Sequence, residues 1–62
     1  MTNENLPVLL NTDDLAAYLE IPARTIEGWR RTADGPPFVR LGKHVRYPQD
    51  EFIDWVRKQM SH

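Results

Sequence analysis

The side chains with the clearest capacity for binding chemistry are three arginines that lie close together in the sequence. They are Arg24, Arg30 and Arg31. A guanidinium group is a planar fork of N–H donors that matches the acceptor edge of guanine or the oxygens of a phosphate. If residues 21–31 form a helix, Ile26 and Trp29 face inward at i, i+3. The outward positions are then Arg24, Glu27, Gly28 and Arg31. We therefore expect a short helix whose exposed face suits the major groove of duplex DNA.

Charge is unevenly distributed along the chain, although the formal net charge is only −1. Residues 24–46 hold six of the eight Lys and Arg residues and carry a net charge of +4, whereas residues 1–23 carry −4 and residues 47–62 carry −1. Most surface charges only keep a protein solvated. Here the basic segment also contains the candidate helix, which favours a nucleic-acid-binding surface.

The composition argues against several other functions. At 62 residues the chain has room for one domain and none for an enclosed active site. It has no cysteine, its only histidines are His44 and His62, and Ser61 is its only serine, so we expect neither a nucleophile–base pair nor a metal site. The longest apolar run, residues 6–10, is far shorter than the roughly 20 residues of a membrane span. We expect no enzymatic activity, cofactor, small-molecule ligand or membrane contact, and a cytoplasmic location.

Three aromatic residues allow a second interpretation. Tyr18, Trp29 and Trp55 can be viewed as one surface for a protein partner, but tryptophans at helical spacing more often belong to a core. We therefore predict that Trp55 lies in the core with Phe52 and Val56. An exposed Trp55 that anchors a partner is the competing hypothesis.

A first helix is predicted to support the arginine-bearing helix. Thr12, followed by two aspartates, is predicted to cap its start, because a hydroxyl accepts from the free N–H groups of the first turn and acids favour that end of the helix. Leu15 and Leu19 lie at i, i+4 and are expected to face the core, while Ala16 allows close approach of the next helix. The helix is expected to end near Glu20.

A tight turn, Glu20-Ile21-Pro22, is predicted to join the two helices, because proline cannot continue the first helix but suits the opening turn of the second. Gly28 inside the second helix costs about 1 kcal/mol relative to alanine. Either close approach of DNA to the backbone or packing within the protein explains it. The glycine and prolines of residues 32–37 are predicted to end this helix.

Two short strands, residues 38–41 and 45–47, are predicted on either side of Gly42-Lys43-His44 and form a hairpin. Because an isolated hairpin is marginal in water, its apolar side is expected to pack on the helices while its basic side chains project elsewhere, toward phosphates or a minor groove. Those side chains are Arg40, Lys43, His44 and Arg46. Pro48 is predicted to open a last, bracing helix. Its apolar face is expected to consist of Phe52, Trp55, Val56 and Met60.

These pieces, in this order, resemble the excisionase and MerR-like family of small winged-helix DNA-binding proteins. The resemblance spans about residues 9–56 and rests on residues 10–19, 21–26 with Trp29-Arg30, 37–42 with 45–47, and Phe52 with Trp55-Val56. It implies a mainly α fold with a small β-hairpin, a winged helix-turn-helix in the order helix, helix, wing, helix. Residues 1–8 are then expected to be a flexible N-terminal segment and residues 9–60 a single DNA-binding domain.

The residue pattern and the resemblance together predict two groups of DNA contacts. The recognition-helix group is Ala23, Arg24, Thr25, Glu27, Gly28, Arg30 and Arg31, and the wing group is Arg40, Lys43, His44 and Arg46. Arg24 and Arg31 are expected on the major-groove side, and Arg30 at a phosphate. Glu27-Gly28 stands where the family commonly has an aromatic or basic residue, so Glu27 either accepts from a cytosine amino group or pairs with Arg24 or Arg31. Pro22 replaces the family's usual hydroxyl cap and removes one phosphate contact.

The family includes phage excisionases, also called recombination directionality factors, and small phage or plasmid transcription regulators. The small size favours an excisionase that binds and bends attachment-site DNA to direct excision by an integrase. Transcriptional regulation is the alternative. The partners that this implies are double-stranded DNA, an integrase and neighbouring copies of the protein on DNA, and the implied location is the cytoplasm of a bacterial host cell.

Overall fold

Three helices and a small antiparallel sheet make up the fold. A computed structural model describes residues 6–60. The elements in chain order are β1 (Leu9–Leu10), α1 (Thr12–Leu19), α2 (Ala23–Thr32), β2 (Val39–Leu41), β3 (His44–Pro48) and α3 (Gln49–Gln59). This confirms the predicted winged helix-turn-helix and adds one unpredicted strand, β1. Residues 1–5 of the predicted flexible segment, together with Ser61 and His62, lie outside the described residues.

Helix α1 begins with a capping box rather than with the predicted threonine cap. Asn11 is the N-cap residue: its Oδ1 accepts from the Asp14 N–H at 2.7 Å, and the Asp14 Oδ2 accepts from the Asn11 N–H at 2.9 Å. Thr12 lies one residue further on, inside the helix, and its hydroxyl accepts from Arg30. The prediction was wrong by one residue because asparagine caps helices at least as well as threonine and the sequence offers both in a row.

The turn between α1 and α2 is as short as predicted. Glu20 takes a left-handed conformation with φ 58°, and its N–H donates to the Ala16 carbonyl. Pro22 is the N-cap residue of α2, where a missing N–H costs nothing, and its carbonyl accepts from the Thr25 N–H at 3.0 Å. With only Ile21 between the two caps, α2 leaves α1 in a fixed direction.

The sheet has the strand order β1-β3-β2, so the strand that leads into α3 lies at its centre. β2 and β3 form the predicted hairpin. Their register is Val39↔Arg46, Arg40↔Val45 and Leu41↔His44. β1 pairs with the other edge of β3 through Leu9↔Pro48 and Leu10↔Tyr47. A third strand is the support that an isolated hairpin lacks.

The core consists of four buried side chains, each from a different element: Leu15 of α1, Ile26 of α2, Tyr47 of β3 and Phe52 of α3. Burying a side chain such as Leu, Ile or Phe contributes about 1.5–3 kcal/mol. This small core therefore holds all three helices to the central strand. Against it pack Trp29 and Trp55, whose ring centroids lie 5.8 Å apart.

Helix α3 differs from its predicted apolar face at one residue. Phe52 is buried, and Trp55 and Val56 are half-buried against the core, as expected of a brace. Met60 is 77% exposed. The helix ends at Gln59, so Met60 lies beyond its last regular turn and does not reach the core.

Candidate nucleic-acid interface

Helix α2 has the two faces that its sequence predicts. Ile26 is fully buried and Trp29 packs against the core, which fixes the rotation of the helix about its axis. The exposed side chains are Arg24, Thr25, Glu27, Arg31 and Thr32, and the predicted contact residues Ala23 and Gly28 are half-buried. The outward face therefore carries a guanidinium group near each end, with small or hydrogen-bonding residues between them.

Gly28 leaves an opening in this exposed face. A Cβ atom added at Gly28 would meet only the Nη2 of Arg31, at an ordinary contact distance of 3.6 Å. No other described atom outside the local helix backbone and the chain neighbours lies within 4 Å. Packing within residues 6–60 therefore does not account for the glycine. The opening lets another molecule come close to the helix backbone.

Glu27 is exposed on the same face. Among residues 6–60 it forms no ion pair with Arg24 or Arg31. One of the two predicted roles, an ion pair within the helix, is therefore not seen for this side chain. The carboxylate remains an exposed acceptor, and the cytosine amino group that was predicted as its partner is one of the two base amino donors in the major groove.

Arg30 lies differently from the other arginines of α2. Its side chain is half-buried, and Nη1 donates to the Thr12 hydroxyl at 3.1 Å and to the Tyr47 hydroxyl at 2.9 Å. These two bonds use both hydrogens of Nη1. The sequence predicted a phosphate contact for Arg30, whereas the structure gives it two partners inside the protein.

The hairpin turn holds exposed basic residues. Gly42 and Lys43 are its two central residues, and Gly42 has φ 67°. A positive φ is free of strain for glycine and is required at the first central position of the tight turns that favour hairpins. Lys43 and His44 are both exposed at this tip.

The two hairpin arginines lie on opposite faces of the sheet, because directly paired residues share a face and successive residues alternate. Arg40 pairs with Val45 on the face that packs against the core, and its guanidinium carbon lies 5.5 Å from the centre of the Phe38 ring. Arg46 pairs with Val39 on the other face, and its Nη1 donates to the Val45 carbonyl at 2.8 Å. The prediction that all four basic side chains avoid the apolar side is therefore wrong for Arg40.

A polar cleft of about 350 Å³ lies between the helices and the hairpin. Its walls are the start of α1, Glu27 and Arg30 of α2, and residues 43–46 of the hairpin. Arg24, Arg31 and Arg40 do not line it. Contact residues predicted separately for the helix and for the wing thus meet at the border of one cleft.

The sequence did not predict that Thr12 and Tyr47 are the hydrogen-bond partners of Arg30. It assigned Thr12 to a cap and Tyr47 to a strand, without connecting either to Arg30. One signal was available, because a tyrosine at a buried strand position needs a partner for its hydroxyl. Which side chain donates to the Tyr47 hydroxyl depends on how the helices cross the sheet.

The match to known families decides the class of the domain. A family model described as a helix-turn-helix domain matches residues 9–60. The chain belongs to this helix-turn-helix family. Its domain is a DNA-binding module with double-stranded DNA as the partner, and α2 is the second helix of the motif, the one that enters the major groove in such proteins. No curated protein shows a significant match to the chain.

Within residues 6–60, no three His, Cys, Asp or Glu side chains come together where they could hold a metal ion. None of the helices in that range combines the length and apolar character needed to cross a bilayer. Domains of this family are typically not enzymes.

Proposed function

We propose that the protein is a sequence-specific DNA-binding protein of the excisionase type, which binds and bends attachment-site DNA and directs excision by an integrase. The observation that best supports DNA binding is that α2 and the hairpin line the same cleft. Glu27 and Arg30 of α2 line one polar cleft together with the basic hairpin tip, and the exposed Arg24 and Arg31 lie on the same helix, in a chain of the helix-turn-helix family.

In this proposal α2 lies in the major groove. Arg24 and Arg31 hydrogen-bond base edges or flanking phosphates, and Thr25 adds a short hydrogen-bonding side chain near the start of the helix. Glu27, which forms no ion pair with either arginine within residues 6–60, accepts from a cytosine amino group. The small residues Ala23 and Gly28 leave room for the close approach of DNA.

The hairpin contacts the sugar–phosphate backbone or the adjacent minor groove. Lys43 and His44 are the exposed residues of the tip, and Arg46 borders the same cleft. Arg40 lies on the other face of the hairpin, above the Phe38 ring, and reaches a phosphate only at the rim of the interface. Such contacts are independent of sequence and set the register of the domain on the duplex.

Support for the excisionase role comes from the resemblance of residues 9–56 to excisionase and MerR-like proteins. A small domain that grips DNA with a helix and a wing can bend it and hold it beside an integrase or a neighbouring copy. Small transcription regulators of phages and plasmids resemble the chain through the same residues, and they are the alternative.

Footprinting on the genome that encodes the protein distinguishes the two roles. Sites clustered at the ends of an integrated element, together with excision that requires the protein and an integrase, are expected. Sites confined to promoters, with excision unaffected by deletion of the gene, contradict the excisionase role and leave transcriptional regulation.

A binding assay tests the recognition helix itself. Replacing Arg24 by alanine should weaken binding to a duplex selected by the wild-type protein by about 1–3 kcal/mol while changing binding to random duplex much less. Lys58→Ala is the control, because it removes an equal charge from the exposed surface of α3. Equal affinity of wild type and Arg24→Ala for both duplexes contradicts the assignment of α2.

A further inference from the structure

The hydrogen bonds of Arg30 connect three elements that are distant in sequence. Nη1 reaches Thr12 at the start of α1 and Tyr47 in the central strand β3, at 3.1 and 2.9 Å. Tyr47 is only 1% exposed, so its hydroxyl is out of reach of DNA, and Arg30 and Thr12 are half-buried. A bond between a charged donor and a buried acceptor is among the stronger hydrogen bonds in a protein.

Helix α2 and strand β3 are not among the most closely packed pairs of elements. Helix α2 packs mainly against α1, whereas β3 packs against α1, α3 and the other strands. Ile26 and Trp29 also anchor α2 in the core that it shares with Tyr47 of β3, and the hydrogen bonds of Arg30 add a directional link to these packing contacts. The Arg30–Tyr47 bond joins α2 directly to β3, the strand that continues from the hairpin tip.

We propose that Arg30 is a positioning residue whose guanidinium holds the recognition helix at the angle to the wing at which both contact one duplex, a role that rests on the proposed DNA contacts of these two elements. Arg30 then contributes to DNA binding through geometry and not through a phosphate contact. Loss of its acceptors should have the same effect as loss of the arginine itself.

The buried acceptor gives the sharpest test. Tyr47→Phe keeps the ring in the core and removes only the hydroxyl, and Tyr18→Phe, at a residue that is 70% exposed, removes a hydroxyl outside this arrangement. Binding is measured with a duplex selected by the wild-type protein and with random duplex, below the melting temperature of each variant. Tyr47→Phe should weaken binding to the selected duplex about tenfold and to random duplex less than about twofold, with an unchanged slope of log affinity against log salt. Tyr18→Phe should match wild type.

A phosphate-binding Arg30 predicts a different pattern. Tyr47→Phe would then free the guanidinium and leave binding equal or tighter, and Arg30→Met would lower the salt slope by about one, with Arg30→Lys restoring it. Either result overturns the positioning role. Under that role, Arg30→Lys does not restore discrimination between the duplexes, and Arg30→Met with Tyr47→Phe is no worse than Arg30→Met alone.

A measurement on the unbound protein separates failure of this role from failure of the proposed function. Residual dipolar couplings of backbone N–H groups report the orientation of α2 relative to β3 without any DNA. Tyr47→Phe should change that orientation or its order, and Thr12→Val serves as the second variant if Tyr47→Phe folds poorly. An unchanged orientation in a folded variant overturns the positioning role, whereas a changed one supports it whether or not a selected duplex is found.

Discussion

Replacing Gly28 by alanine should make the domain more stable and a weaker DNA binder. The added Cβ meets only the flexible end of Arg31, at 3.6 Å, so the protein itself accommodates it. Alanine in a helix interior is favoured over glycine by about 1 kcal/mol. For a domain of 60–100 residues this corresponds to a rise in melting temperature of about 4–8 °C.

The effect on binding has the opposite sign. If DNA approaches the helix backbone at Gly28, the new methyl group overpacks the interface, which typically costs about 1–3 kcal/mol. Since every 1.4 kcal/mol is tenfold in affinity, the loss should be roughly 5- to 150-fold. A stabilised fold with weakened binding cannot be explained by partial unfolding.

Circular dichroism melting and fluorescence anisotropy with a selected duplex measure the two effects on the same samples. Gly35→Ala is the control, because its Cβ would lie 3.0 Å from Cβ and Cε3 of Trp29. That variant should melt at a lower temperature and bind normally while it is folded. A Gly28→Ala protein that melts higher and binds like wild type removes Gly28 from the interface.

Two further substitutions test the wing and the brace. Lys43→Ala should weaken binding to all duplexes alike and reduce the slope of log affinity against log salt by about one, as measured by salt titration; an unchanged slope, equal to that of Lys58→Ala, would show that the hairpin tip does not touch DNA. Trp55→Ala should cost about 3 kcal/mol, the lower end of the range for a buried tryptophan, because Trp55 is only half-buried beside Trp29. A melting temperature equal to that of wild type would instead favour an exposed anchor for a partner.

The helices and the hairpin were predictable because their signals are local. Leu15 and Leu19 at i, i+4, the turn that ends in Pro22, and Gly42 in the hairpin each specify local structure through nearby residues. The exposed face of α2 followed from the spacing of Ile26 and Trp29. These features depend little on how the elements pack together.

Strand β1 and the partners of Arg30 were not predictable in the same way. A two-residue strand has no periodicity to detect, and Leu9-Leu10 becomes a strand only because β3 offers it an edge. Arg30 and Arg31 are adjacent and chemically identical, yet one is half-buried and the other exposed. Their burial differs because Arg30 faces Tyr47 across the core, and the sequence of α2 alone does not show where Tyr47 lies.

The central position of β3 means that the elements proposed to contact DNA do not form an independent folding unit. β3 is bonded on one edge to β2 of the wing and on the other to β1, and the Gln49 N–H at the start of α3 donates to the Val8 carbonyl at 2.8 Å. A fragment limited to the two helices and the hairpin would lose this support from both ends of the described chain. Transfer of the proposed DNA recognition to another scaffold therefore requires grafting of the individual exposed side chains of α2 and not of the excised segment.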